Sequence, residues 1–408
     1  MALTLNRICI WFSKTRKPKQ SLLTLHMVCK HTRQNNCTTT TNTDSSAAVP
    51  RGSQVSLTAD RGLVLVDPQG KEVWSSKIVS GEASHAVMGD EGNFVIFEGS
   101  NGDKKLWESF DHPSDTLLPG QSLNRGEGVS SRWRENVFSK GRFELRLQQD
   151  GNLVLVSVNL PTEHANEPYY ASDTYEGSNN SSNAGNRLVF NETGNLYLLR
   201  VNNERLSLAS ENMVSAKDNY IRATLDFDGL FTKYYHPKRS NGDGKWTVLW
   251  SIPENICQRS LVSAGIGVCG YNSICTLNED SRPTCQCPKK YSFIDPNDEY
   301  GSCKPDFIQG CAEDELTPNI KDLYDVEELH NADWPLSDYV MLKPFNGEDC
   351  KDSCLKDCLC AVAIFRDETC WKKKLPLSNG RFDENLNSRA FIKVRKENIT
   401  LPRINSVS

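Results

Sequence analysis

Apolar residues in the middle of the chain fall in short runs, each opened by a turn signal. Arg61-Gly62-Leu63-Val64-Leu65 precedes Asp67-Pro68-Gln69-Gly70 and Val73-Trp74. Gly92-Asn93-Phe94-Val95-Ile96-Phe97 precedes Asn101-Gly102-Asp103 and Leu106-Trp107. Gly151-Asn152-Leu153-Val154-Leu155-Val156 and Gly194-Asn195-Leu196-Tyr197-Leu198-Leu199 repeat the opening, and Asp228-Gly229-Leu230-Phe231 echoes it. Each unit predicts a turn and a short strand, and the first two end in a second turn and strand. One hairpin cannot bury its apolar face alone, but several set about an axis can, with tryptophans at the centre. Residues 51–235 therefore predict small β-prisms or barrels, two in tandem, and long amphipathic helices are scarce.

Cysteine changes the picture for the C-terminal half. Of the 15 cysteines, all but Cys9, Cys29 and Cys37 lie between positions 257 and 370. They form two sets of six: Cys257, Cys269, Cys275, Cys285, Cys287, Cys303, then Cys311, Cys350, Cys354, Cys358, Cys360, Cys370. Even sets at close spacing predict disulfides and an oxidising, extracellular setting. Zinc sites favour C-x2-C pairs with histidines, and no His falls between Cys257 and Cys311, so no metal is expected. Spacing alone leaves the connectivity open, since six cysteines allow fifteen pairings. Cys350, Cys354 and Cys358 recur at i, i+4 and i+8, which predicts one helix face with Glu348 and Asp349 at its start. Ala361–Phe365 predicts a buried strand, and Trp371–Lys374 a solvated turn.

The remaining composition excludes several classes. Net charge is −5 with no basic stripe, which argues against nucleic acid. Mean hydropathy is −0.53, and no run approaches the roughly 20 apolar residues of a membrane span. Residues 1–50 read as a divergent or incomplete N-terminal segment. They show no evident signal peptide, and Cys29–Ala48 lacks strand alternation, so poor packing and early proteolysis are expected there. The alternative is a cytosolic protein, which the disulfide block weighs against. Candidate glycosylation sequons stand at Asn179, Asn180, Asn191 and Asn398, with one more at Asn36. Gly265-Ile-Gly267-Val-Cys-Gly270 matches a dinucleotide fingerprint but sits inside the cysteine pattern. Ala361-Val-Ala-Ile-Phe365 resembles a kinase strand with Phe in place of Lys. No catalytic constellation stands out, so no enzyme and no cofactor are expected.

Gly-Asn-Leu-Val-Leu strands closed by Trp resemble bulb-type (monocot mannose-binding) lectin domains, a β-prism II fold. Trp107-Glu-Ser-Phe110-Asp-His-Pro113-Ser-Asp115-Thr-Leu-Leu-Pro119-Gly-Gln121 is similar to the junction between the lectin modules of plant G-type lectin S-receptor-like kinases. The resemblance covers about residues 50–395 and is to the extracellular region, lacking the transmembrane and kinase parts. Ile8–Phe12 reads as a remnant of an earlier lectin strand. The resemblance implies a mainly β chain: a partial first bulb-type lectin domain at 51–112, a second at 113–235 and a connector at 236–256. An EGF-like module at 257–303, a PAN/apple module at 311–395 and a tail at 396–408 follow. It implies the pairs Cys257–Cys275, Cys269–Cys285 and Cys287–Cys303, then Cys350–Cys370, Cys354–Cys360 and Cys311–Cys358. The stretch before Cys257 lacks the acidic cluster of calcium-binding EGF modules.

The bulb-lectin sugar motif is Q-x-D-x-N-x-V-x-Y, and this chain has Gln148, Asp150, Asn152 and Val154, with Val156 in place of Tyr. Strand alternation would set these on one face, the three polar groups on sugar hydroxyls and Val154 against the pyranose ring. A tyrosine at 156 would then supply the missing hydroxyl. The competing reading is that Asp-Gly-Asn simply starts a hairpin, and in the other repeats it prevails. The expected function is extracellular, non-catalytic recognition of mannose-type glycans, with receptor-like kinases as partners of the EGF-like and PAN modules. The alternative is a degenerate lectin scaffold or decoy that binds proteins and no sugar.

Overall fold

The computed structural model describes residues 50–99, 104–159, 162–177, 181–209, 214–239, 245–258, 267–309 and 323–396, plus the backbone of short strands before residue 50. Those early strands include Ala2–Leu5 paired antiparallel with Ile8–Trp11, and Asn36–Thr38 paired with Ala48–Pro50. The rest of 1–49 lies outside the described residues, as does its expected poor packing. The chain divides into two compact units, residues 1–253 and 254–408.

The first unit is built from antiparallel sheets. Gln54–Thr58, Gly62–Val66 and Glu72–Ser75 form one, and Ala83–Met88, Phe94–Glu98 and Lys104–Glu108 a second. Leu63, Leu65, Phe94, Ile96 and Trp107 pack between them. Trp107 meets Trp74 edge-on at 6.3 Å and Phe94 at 6.4 Å, so the tryptophans occupy the centre.

Three further sheets make a β-prism. Gly128–Arg134, Val137–Leu147 and Leu153–Asn159 form one with short flanking strands, including Tyr170–Ala171. Ser122–Asn124, Gly185–Phe190, Leu196–Arg200 and Arg205–Ser207 form another. Thr116–Leu117, Asn219–Leu225, Phe231–Pro237 and Thr247–Ile252 form the third. Leu145, Leu155, Leu188, Leu198, Ala223 and Leu225 are fully buried where the sheets face inward. Thr247–Ile252 was expected to lie in a connector. It is instead a sheet strand, because alternation buries Trp250 and Ile252 on one side.

The sequence repeat is a repeat of one turn. At 89–93, 148–152, 191–195 and 226–230, the first residue's N–H donates to the fifth carbonyl, and the fourth N–H to the first carbonyl. The fourth position has φ between 89° and 98° at Gly92, Gly151, Gly194 and Gly229. Only glycine adopts that conformation without cost, which is why Gly stands at this position in these four repeats.

In the second unit the two cysteine sets are not separate bodies. Ile274–Leu277 and Pro283–Gln286, from the first set, share a sheet with Arg381–Phe382 and Ala332–Asp333 from beyond it. Trp334, wholly buried, donates from Nε1 to Ser273 O at 2.9 Å. A second sheet of Tyr324–His330, Arg389–Arg395, Val362–Arg366, Thr369–Lys373 and Asp338–Leu342 carries the helix Gly347–Leu355. Asn346 caps that helix by accepting from Asp349 N at 2.9 Å. The helix ends before Cys358, so only Cys350 and Cys354 of the expected trio share its face. The run at 371–374 is no solvated turn. Lys372 and Lys373 are buried in the strand Thr369–Lys373, with Lys372 paired to Asp357 and Lys373 to Asp333 and Asp338. A polar run enters a sheet interior only where such carboxylates neutralise it.

Candidate carbohydrate site at the 148–152 turn

The strand before the turn ends at Leu147 and the next begins at Leu153. Gln148, Asp150 and Asn152 therefore belong to the turn rather than to one strand face. Asp150 Oδ1 accepts from Asn152 N at 3.0 Å, which fixes the loop's shape. Asn152 Oδ1 accepts from Ser172 Oγ at 3.2 Å and Thr174 N at 3.3 Å. Ser172 Oγ in turn accepts from Leu153 N at 3.0 Å.

The same linkage recurs at the second repeat. Asn93 Oδ1 accepts from Ser109 Oγ and Phe110 N, both at 3.2 Å, and Ser109 Oγ accepts from Phe94 N at 2.9 Å. In the first, Leu63 N donates to Ser76 Oγ at 3.0 Å. The repeat's Asn is thus a structural clamp on one carbonyl side. Ser76, Ser109 and Ser172 escaped the reading of the sequence. Their signal was the aromatic-x-Ser spacing in Trp74-Ser-Ser76, Trp107-Glu-Ser109 and Tyr170-Ala-Ser172.

The turn is anchored from behind. Glu176 N donates to Asp150 O at 2.9 Å, and Arg125 donates to Gly185 O at 2.8 Å and Gln149 O at 3.1 Å. Arg125 also pairs with Glu176. A Cβ on Gly151 would lie 2.4 Å from Gly185 O, so the two backbones touch. The side chains of Gln148 and Asp150 face solvent. They offer an amide and a carboxylate to a sugar's hydroxyls.

The apolar half of the motif is not available on that surface. Val154 is 0% exposed and Val156 3%, both packed with Val158, Ala165 and Ala171. Val154 pairs with Ala171 and Leu155 with Tyr170 across the neighbouring strand. Burial, with Asp173 nearby, pushes the Tyr170 phenol above its usual range. The structure brings Gln148, Asp150 and Asn152 together but leaves Val154 beneath them. A tyrosine at 156 would have to enter that packed cluster, so no simple gain of a hydroxyl follows from it.

Among the sequons, Asn191 Oδ1 accepts from Thr193 Oγ1 and Asn195 N, each at 2.8 Å. Asn179, Asn180 and Asn398 lie outside the described residues. The described bridges are Cys257–Cys275, Cys269–Cys285, Cys287–Cys303, Cys350–Cys370 and Cys354–Cys360. Cys358 is also disulfide-bonded, while Cys311 lies outside the described residues. No group of three metal-ligating side chains and no membrane-spanning helix occurs among the described residues.

The D-mannose binding lectin family matches residues 40–140. The chain is 42% identical over 354 residues to the G-type lectin S-receptor-like serine/threonine-protein kinase LECRK3 of Oryza sativa subsp. indica, covering 85% of this chain and 42% of that protein. With RLK1 of Arabidopsis thaliana identity is 41% over 366 residues, 87% and 43% of the two chains. LECRK1 of Oryza sativa subsp. japonica is 36% identical over 98% of this chain and 48% of its own length. The chain thus spans about half the length of the curated relatives it matches. Among solved structures, a Marasmius oreades lectin aligns over 35% of this chain and 92% of its own, with 19% identity and a TM-score of 0.24. The chain accordingly carries a bulb-type lectin domain and, over most of its length, is a relative of the G-type lectin S-receptor-like serine/threonine-protein kinases.

Proposed function

We propose that this chain is a non-catalytic, extracellular recognition protein that binds mannose-type glycans at the 148–152 turn. The observation carrying this is the exposed pair Gln148 and Asp150 beside Asn152, on a turn whose backbone is held rigidly from behind. Asp150 Oδ1 is spent within the turn, so its other oxygen is the acceptor for a sugar hydroxyl. With no apolar wall and no tyrosine, one site should bind no tighter than about millimolar, near −4 kcal/mol. Useful binding then comes from clustering on a glycan-bearing surface. In this reading the EGF-like and PAN/apple modules of the cysteine-rich unit contact receptor-like kinases.

The second reading keeps the fold and discards the sugar. It is favoured by the burial of Val154 and by the two donors already held by Asn152 Oδ1. The protein would then be a degenerate lectin scaffold or decoy that engages proteins only. Retention of oxidised protein on mannose-agarose, eluted by free mannose and lost in Asp150→Ala, supports the first reading. Absence of retention, or retention unchanged in Asp150→Ala, leaves the second.

A further inference from the structure

The third sheet of the prism presents an aromatic and cationic face at its far end. Register pairs Tyr220 with His236 and Arg222 with Tyr234, and Tyr234 with Val248 on the next strand. His236 and Trp246 rings lie 5.6 Å apart, so Tyr220, His236 and Trp246, the last just before the strand Thr247–Ile252, form one row, with Arg222, Tyr234 and Val248 in the row behind. Tyr220 is 51% exposed, Val248 50% and Trp246 37%. Arg222 is sandwiched: its guanidinium carbon is 4.3 Å from the Trp246 ring centre and 5.0 Å from that of Tyr234. Its Nε is buried with no hydrogen-bond partner among the described residues. Lys238 Nζ stands 5.5 Å over Tyr220 and adds a second cation at the rim. Asp226 and Asp115 lie close enough to favour the Arg222 charge, but their hydrogen bond and ion pair go to other side chains. Asp226 Oδ2 accepts the Tyr234 hydroxyl at 2.6 Å, and Asp115 pairs with Arg132 at 3.4 Å.

We propose that this face binds an acidic, uronate-bearing polysaccharide, with Arg222 as the carboxylate anchor and Tyr220 and Trp246 as stacking platforms for the pyranose rings. Ring stacking holds the faces of the Arg222 guanidinium, and because Nε is buried, the Nη donors are the ones left to meet a planar carboxylate. Exposed aromatic side chains set in a row along one end of a sheet match the apolar faces of successive sugar units. An acidic peptide would use the cations but gain little from the row of rings. The site is separate from the 148–152 turn and stands or falls apart from mannose binding.

Affinity electrophoresis of the full, oxidised chain in gels containing polygalacturonate tests it, with neutral mannan and poly-L-glutamate as parallel probes. The expected result is retardation by polygalacturonate that high salt reverses, weakened about tenfold or more in Arg222→Gln and in Trp246→Ala. Arg222→Lys should recover part of the binding, and Asp150→Ala should leave it intact. Tyr220→Ala, at an exposed rim position, gives the same reading should a sandwich variant fail to fold. No retardation of the wild type, equal retardation by poly-L-glutamate, or wild-type retardation of Trp246→Ala and Tyr220→Ala would overturn the proposal.

Discussion

Replacing Gly151 with Ala separates the two reasons for which the repeat keeps glycine. The residue has φ +89°, and an added Cβ would lie 2.4 Å from Gly185 O and 2.8 Å from Gly185 N. Gly70 has a similar φ of +83° but nothing within 4 Å of its Cβ position. Gly70→Ala therefore bears only the backbone penalty, about 1–2 kcal/mol for a left-handed L-residue, less about 0.4–1 kcal/mol from the stiffened unfolded chain. Its net cost should be about 1 kcal/mol. Gly151→Ala must in addition push two backbones apart by about 1 Å to reach an ordinary contact near 3.5 Å. Such overpacking costs about 1–3 kcal/mol. The shift also strains the bonds from Glu176 N to Asp150 O and from Thr174 Oγ1 to Gly151 O, each worth about 1 kcal/mol. The total is about 3–5 kcal/mol. In a unit of this size 1 kcal/mol moves Tm by about 2–4 °C, so scanning calorimetry should show a drop of about 3 °C for Gly70→Ala and about 10 °C or more for Gly151→Ala. Equal shifts for the two variants would refute the close backbone approach as the reason for Gly151.

Four further outcomes are expected. Ser172→Ala should destabilise the first unit by about 1–2 kcal/mol in urea titration, because Leu153 N loses its part-buried side-chain acceptor and Asn152 Oδ1 one of its two donors. Trp334→Phe should lower the stability of the second unit by about 2–4 kcal/mol, since it opens a cavity in the core and strands the Ser273 carbonyl. Asp357 should set part of that unit's acid sensitivity. Burial alone would raise its pKa, but hydrogen bonds from Lys372 and Tyr339 outweigh burial and hold the carboxyl below its ordinary value. That stabilisation is complete above the unfolded pKa near 4 and is lost as pH falls through the folded one. Lys372→Met should therefore flatten the stability profile over that acidic range, and an unchanged profile would count against the pair. Finally, mass-spectrometric alkylation under denaturation without reductant should label none of Cys257, Cys269, Cys275, Cys285, Cys287, Cys303, Cys350, Cys354, Cys358, Cys360 or Cys370.

What was legible from the sequence is local. A turn that needs φ near +90° admits Gly at one position, and a short apolar run after it can only be a buried strand, so the hairpins were readable from Gly-Asn-Leu-Val-Leu alone. The clustering of twelve cysteines likewise announced a disulfide-stapled half. Long-range partners decided the rest. Nothing near Asn152 in sequence says that Ser172 and Thr174 fill one side of its amide, or that Ala165 and Ala171 cover Val154 and Val156. Period two placed Gln148 to Val156 on one face, but the turn breaks that period at Asp150-Gly151, so polar and apolar halves of the motif part company. Lys372 and Lys373 looked solvated because their charge is visible in the sequence, whereas Asp333, Asp338 and Asp357, which neutralise it, lie 15 to 40 residues away and meet it only through the sheet. Burial and pairing are properties of the assembled sheets, and a one-dimensional pattern records them only where both partners sit on the same strand.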